Sequence, residues 1–248
     1  MLDTDRFRAL CRPFAETLFE DVRRLSASPA PRTGVTRLGY SDEEEAVVRH
    51  LEALGASLGL ETERDAAQNL WMTLPGTDRT LPAIVSGSHA DSVLDGGNYD
   101  GLAGIASALC TVLWLKENGV RLERDFRVLV IRCEEQGLVG TTAILGKLKP
   151  EDLERRFTAD GPSLSERLAR RGIDPAPFTA GKPLFDTGRI AAFLEVHIEQ
   201  SLKLDASSDR RVGLVTGIRG LRVHRRIRCK GQTAHAGAVD FPFRHDAA

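Results

Sequence analysis

The sequence has little of what marks several large functional classes. Only four of its 248 residues are cysteine, Cys11, Cys110, Cys133 and Cys229; they are scattered, with no CxxC pair. That pattern gives no disulfide framework and points to a reduced, cytoplasmic setting. Aromatic residues make up 6% and the formal net charge is −1. Neither a base-stacking surface nor an electrostatic attraction to nucleic acid or an anionic membrane is supported. No apolar run approaches the length of a membrane span. The opening "MLDTDRFRALCRPFAETLFEDVRRL" alternates charged and apolar residues and lacks the unbroken core of a signal peptide.

What is present fits a soluble globular chain, with 42% hydrophobic and 28% charged residues. Residues 5–25 have the spacing of an amphipathic helix, and the prolines and glycine of 26–41 make a loop. Ser41 reads as an N-cap, with Glu44 completing a capping box for a helix through "EEAVVRHLEALGASLG". "DAAQNLWMTLPG" suggests a strand ending at a Pro75-Gly76 turn, and "PAIVSGSH" a short buried strand. "GLAGIASALCTVLWLKENG" is a helix closing at Gly119, "DFRVLVIRCEE" a second buried strand, and "LVGTTAILGKLK" a helix. This alternation predicts an α/β fold, a mixed sheet flanked by helices, with ligands beyond the carboxyl ends of its strands. Residues 149–190 read as a surface insertion with one helix at 163–172, and "RIAAFLEVHIEQ" as a return to a buried segment. From about 212 the pattern alternates as in antiparallel strands, so residues 1–211 are expected to form one lobe and 212–248 to open a second.

Chemistry gathers at the strand ends. The first supplies His89 and Asp91, the second Glu134 and Glu135, the third His197 and Glu199; Asp100 opens the helix that starts at Gly101. Imidazole and carboxylate without thiolate suit a divalent metal, and a carboxylate at a helix start can bridge two ions about 3.5–4 Å apart. Taken singly, each motif is common on solvated surfaces. Glu134 and Glu135 follow the apolar "VLVIRC": either the pair is buried beside a cation, or the strand ends at Cys133 and the pair lies in solvent. Gly96 and Gly97 would let the chain turn so that Asp100 comes back opposite His89. The histidines at 50, 224 and 245 read as structural or solvated, and the alternation of "RVHRRIRCK" would split its positive charge between two faces.

The motifs "GSHADSVLDGGNYDGLAGI", "EEQG", "HIEQ" and "GQTAHAG", in this order, resemble the peptidase M20-like metal amidohydrolases. With "GVTRLGYSDEE", "DAAQNLWMTLPG" and "VGLVTGIRG" they resemble the hydantoinase/carbamoylase branch, which holds N-carbamoyl-L-amino acid hydrolases and allantoate amidohydrolases. The resemblance implies a Zn-peptidase-like catalytic lobe followed by a ferredoxin-like dimerisation domain. It implies two divalent ions (Zn, or Mn, Co or Ni), with His89, Asp100 and His197 on one and Asp100 and Glu135 on the other. Asp91 would orient His89, Glu134 would be the general base, and Gln200 and His235 would contact substrate, His235 across a homodimer. The implied substrate is a small carbamoyl or ureido carboxylate, first an N-carbamoyl-L-amino acid, then allantoate, then a dipeptide or acyl-amino acid.

The chain departs from that pattern with Ser201-Leu202 where Gly-Pro is usual, with Ala238, Val239 and Asp240 where Thr-Thr-Pro is usual, and without Ser-Arg-Phe after the glutamates. The resemblance also implies a longer protein, with a final metal-ligating histidine and carboxylate-gripping Asn and Arg residues beyond Ala248. A chain of this length is then expected to be a fragment or a truncation. The competing reading is a non-catalytic homologue that binds a metal or a partner chain.

Overall fold

A computed structural model describes residues 3–207, 209 and 211–218. The chain divides into two compact units, 1–198 and 199–248. Helix α1, Thr4–Ser26, is capped by Asp3, whose side chain accepts the Arg6 N–H at 3.0 Å. Helix α2, Asp42–Ser57, starts at Ser41, which accepts the Glu44 N–H at 3.2 Å. The expected capping box is only half formed. The Glu44 carboxylate turns inward, fully buried, and accepts the Tyr40 N–H at 2.5 Å rather than that of Ser41.

The first unit is built on a five-stranded sheet of β1 (Glu61–Arg64), β2 (Leu70–Leu74), β3 (Ala83–His89), β4 (Phe126–Ile131) and β5 (Ile190–Leu194), in the order β1-β2-β4-β3-β5. Strands β1, β2 and β4 pair antiparallel; β3 runs parallel to β4 on one side and to β5 on the other. Helix α3, Leu102–Glu117, makes the crossover from β3 to β4. The later connection places β5 on the opposite side of β3. The chain thus winds both ways from β3, and the crevice at its carboxyl end is a topological switch point, where open α/β sheets bind ligands.

Period-two alternation fixes the layers. Leu70, Met72, Val128 and Val130 face the core beneath α1, α2 and α3, while Trp71, Leu129 and Ile131 face the other way onto Val85 and Ile144 of α4 (Val139–Ile144). The segment expected as a surface insertion builds a core of its own. Leu164 and Leu168 of α5 (Leu164–Arg170) and Phe178 are fully buried against Tyr40, Cys133 and Val139. The segment expected to be buried, "RIAAFLEVHIEQ", is only partly so: among the described residues β5 is an edge strand, with Ile190 and Ala192 half-buried but Phe193 at 44% and Leu194 at 56% accessibility.

In the second unit, the Glu199 carboxylate accepts the N–H groups of Lys203, Leu204 and Asp205 at 2.9, 2.7 and 3.3 Å. The side chain offered by the sequence as a strand-end donor is occupied in closing a turn. Residues 212–218 form no strand, and the rest of the expected alternation, with His224, His235 and His245, lies outside the described residues.

Candidate metal centre

The parallel strands deliver their side chains at the carboxyl edge of the sheet. His89 is the last residue of β3 and is 3% accessible. Ser86 pairs with Leu194, so extending that register three residues brings His197 level with His89. The Ser88 hydroxyl donates to the Glu195 carboxylate, tying the two strand ends together one and two residues before the histidines. The rings stand with centroids 6.4 Å apart.

Asp100 returns to His89 by a different device from the one expected. Neither Gly96 nor Gly97 has a positive φ; Gly97 has open space around it, while a Cβ on Gly96 would meet Val93 Cγ2 at 2.9 Å, so the close packing of this turn falls on Gly96 alone. The required glycine is Gly101, at φ 67, where an added Cβ would meet the His89 carbonyl oxygen at 2.3 Å and its Nδ1 at 2.6 Å. Only a residue without a side chain lets α3 begin this close to the imidazole.

The donor atoms of His89, Asp100 and His197 all lie within 4.8 Å of one another, the one such group among the described residues. Nε2 of His89 is 3.7 Å, and Nε2 of His197 3.3 Å, from Asp100 Oδ1. Both Nδ1 atoms are engaged elsewhere, that of His89 with the Asp91 carbonyl at 3.2 Å and that of His197 with the Ile198 carbonyl at 2.8 Å. Each ring thereby turns Nε2 toward the carboxylate, the arrangement in which a protonated Nδ1 leaves Nε2 to ligate. This donor set fits a divalent cation. Glu135 is outside the three-residue group.

Asp91 does more than face His89. Buried completely, its two oxygens accept the Glu134 N–H at 2.8 Å and the Glu135 N–H at 3.0 Å, while Nδ1 of His89 stands 3.5 Å from Oδ1. The preceding N–H, from Cys133 at φ 53, donates to Glu44 at 3.0 Å. Three consecutive amides beyond β4 are therefore held by two buried carboxylates. Arg132, fully buried, meets Glu44 at 2.7 Å and Glu45 at 2.9 Å, which compensates charges that would otherwise be costly to bury.

The glutamate pair is half-buried, between the two alternatives that the sequence left open. Burial raises the pKa of Glu134; His89 opposes the shift and Asp91 and Glu195 add to it. Glu135 is raised by burial in the same way, against His89 and with Asp100. Burial disfavours the His89 imidazolium, but the hydrogen bond and charge of Asp91, with both glutamates, outweigh it and lift the pKa to about 9.

Gln200 belongs to the second unit, and His235 lies outside the described residues. Sequence reasoning missed Arg37 and Arg132 and read Glu44 only as part of a helix cap. All three are charged residues without accessible surface, and nothing in a charged stretch such as "GVTRLGYSDEE" tells a buried ion pair from a solvated face.

Residues 69–158 match the model of peptidase family M28, where the motifs by themselves resembled the M20-like enzymes. An N-carbamoyl-L-amino acid amidohydrolase of Geobacillus stearothermophilus is 36% identical over 239 residues, 93% of this chain and 57% of that protein. An allantoate amidohydrolase of Escherichia coli is 33% identical over 240 residues, 94% of this chain and 57% of that protein. A hydantoinase/carbamoylase family amidase of Burkholderia phymatum superposes with a TM-score of 0.68 at 25% identity, over 94% of this chain and 55% of the other. The chain thus spans about half the length of the relatives it matches.

Proposed function

Because the chain belongs to the hydantoinase/carbamoylase family of amidases, we propose that the protein is a metal-dependent amidohydrolase. Its reaction is hydrolysis of the carbamoyl or ureido C–N bond of a small carboxylate. N-carbamoyl-L-amino acids are the first substrate class and allantoate the second, following the two relatives. The observation that carries the reading is the convergence of Nε2 of His89 and Nε2 of His197 on the Asp100 carboxylate at the switch point of the sheet.

In this reading His89, Asp100 and His197 would hold one divalent ion, and Asp100 with Glu135 would hold a second; Zn, Mn, Co or Ni would suit these donors. Bound there, such ions supply Lewis acidity to a carbonyl oxygen and lower the pKa of water. Asp91 keeps the His89 proton on Nδ1 and fixes the backbone from which both glutamates project. Glu134 accepts a proton from the attacking water at its carboxylate and passes it to the leaving nitrogen. Its raised pKa suits a group that must first take and then give that proton. The products are the free amine and carbamate, which yields ammonia and carbon dioxide. Gln200 and His235 contact the substrate, with His235 supplied across a homodimer built on a domain that starts near residue 212. The buried free thiols Cys11, Cys110 and Cys133 accord with a reducing cytoplasm.

The test is ammonia release from N-carbamoyl-L-amino acids, allantoate and a dipeptide after chelation and again after Zn2+, Mn2+ or Co2+ is restored. Release that depends on the ion supports the reading, and the preferred substrate fixes the class. Ion binding with no turnover of any substrate would support the non-catalytic homologue instead.

A further inference from the structure

We propose that Arg37 is the positioning residue that sets the geometry of the metal centre, a role that rests on the reading of His89, Asp100 and His197 as its ligands. Between His89 and Asp100 the chain leaves the sheet and comes back. The outward residues of this excursion, Val93, Leu94 and Tyr99, are exposed at 46, 47 and 56%; the Tyr99 ring packs edge-on against Phe19, and Val35 pairs with Gly96 through both backbone hydrogen bonds. A guanidinium ties the two legs of the loop to each other. Arg37 has no accessible surface, and its Nε donates to the Ala90 carbonyl at 2.6 Å, where the loop departs. Nη1 donates to Asn98 Oδ1 at 3.3 Å, and Nη2 to the carbonyls of Asn98 at 3.2 Å and Asp100 at 3.4 Å, where the loop returns.

The backbone of Arg37 is tied to the same loop. Its N–H donates to the Ser92 hydroxyl at 3.1 Å, and its carbonyl accepts the Ser92 N–H at 3.1 Å. Asn98 passes the restraint on, because its Nδ2 donates to the Phe19 carbonyl of α1 at 2.8 Å. One planar fork therefore spans both legs of the loop and fixes the distance between the residues flanking His89 and Asp100. Lysine carries a single ammonium and cannot reach acceptors on both legs at once, so Arg37→Lys conserves the charge and removes the brace. A cationic side chain does not ligate a metal; Arg37 acts through the backbone that presents Asp100.

The experiment is competition for Zn2+ against a chromophoric chelator, with the Co2+ absorption spectrum and the metal-free thermal midpoint, on the intact protein and its Arg37→Lys and Asn98→Ala variants. Arg37→Lys is expected to bind Zn2+ about 10–100-fold more weakly, with an altered Co2+ spectrum, as for loss of a ligand-orienting group. Asn98→Ala is expected to lose less affinity, about threefold to tenfold, on the same basis. A folded Arg37→Lys that keeps wild-type affinity and spectrum, whatever its thermal midpoint, overturns the inference. Should Arg37→Lys not fold, wild-type affinity and spectrum in Asn98→Ala overturn it equally. Wild-type protein that binds no ion would instead strike at the ligand reading itself, a result that the unsubstituted control reports separately.

Discussion

The two sides of the metal centre are supported in opposite ways. The ends of β3 and β4 are buried and cross-braced: Asp91 holds two amides of the glutamate loop, Glu44 a third, and Arg132 neutralises Glu44 from beneath. Among the described residues, the end of β5 is an edge with pairing on one side, and the His197 side chain is 40% accessible. One half is fixed before any ion arrives; the other hangs on the Ser88–Glu195 link and the Ile198 carbonyl. A centre built this way lets substitutions separate stability from metal affinity, since the same chemistry is rigidly held on one side and lightly held on the other.

The largest effect should come from Asp91→Ala. It leaves the Glu134 and Glu135 amides without their acceptor in a buried place, at about 3–5 kcal/mol of unfolding free energy in urea titration. His197→Ala on the open side should change that free energy by no more than about 0.5 kcal/mol, while weakening Zn2+ in the chelator assay. Equal destabilisation by the two variants would erase the contrast between the sides. Glu134→Gln should retain the ion and lower ammonia release about 10²–10⁴-fold; near-normal turnover would remove Glu134 from the role of base.

A smaller effect concerns the brace under the glutamate loop. Burial opposes ionisation of Glu45, but Arg49, Arg132 and Arg64 outweigh it and hold its pKa at about 2. A folded-state pKa below the ordinary carboxylate value contributes stability above that ordinary value and loses it as pH falls toward 2. Chemical denaturation of the wild type between pH 5 and 2 should show that decline, and Glu45→Gln should flatten it. The smallest effect is expected from Ser88→Ala, at about 1 kcal/mol of stability, with a few-fold loss of metal affinity if the strand-end link orients His197.

The helices and central strands were legible for different reasons: α1 and α2 carry an amphipathic spacing over several turns, α3 is apolar nearly throughout and is closed by Gly119, and "PAIV" and "FRVLVI" are short apolar stretches. Strand β1, "ETER", was invisible because an edge strand open to solvent carries charge instead of an apolar pattern. The same physics misled in the other direction at β5, whose apolar letters suggested burial although the strand lies at an edge. Residues 149–190 looked like surface because their charges outnumber the few apolar positions, Leu164, Leu168 and Phe178, that form the small core. At the site, the residue types and order pointed to the histidines and carboxylates. Local composition did not reveal that Gly101, not Gly96-Gly97, permits the close approach, nor that Glu44 and Arg37 are internal braces. Those roles depend on contacts between residues far apart in the chain.

The most direct test of the central claim is the metal content of the protein and of its Asp100→Ala variant after equilibrium dialysis against Zn2+, read by atomic absorption. Bound Zn2+ is expected in the wild type and its loss in the variant, because Asp100 is the carboxylate on which both histidines converge. Full metal content in Asp100→Ala would contradict it.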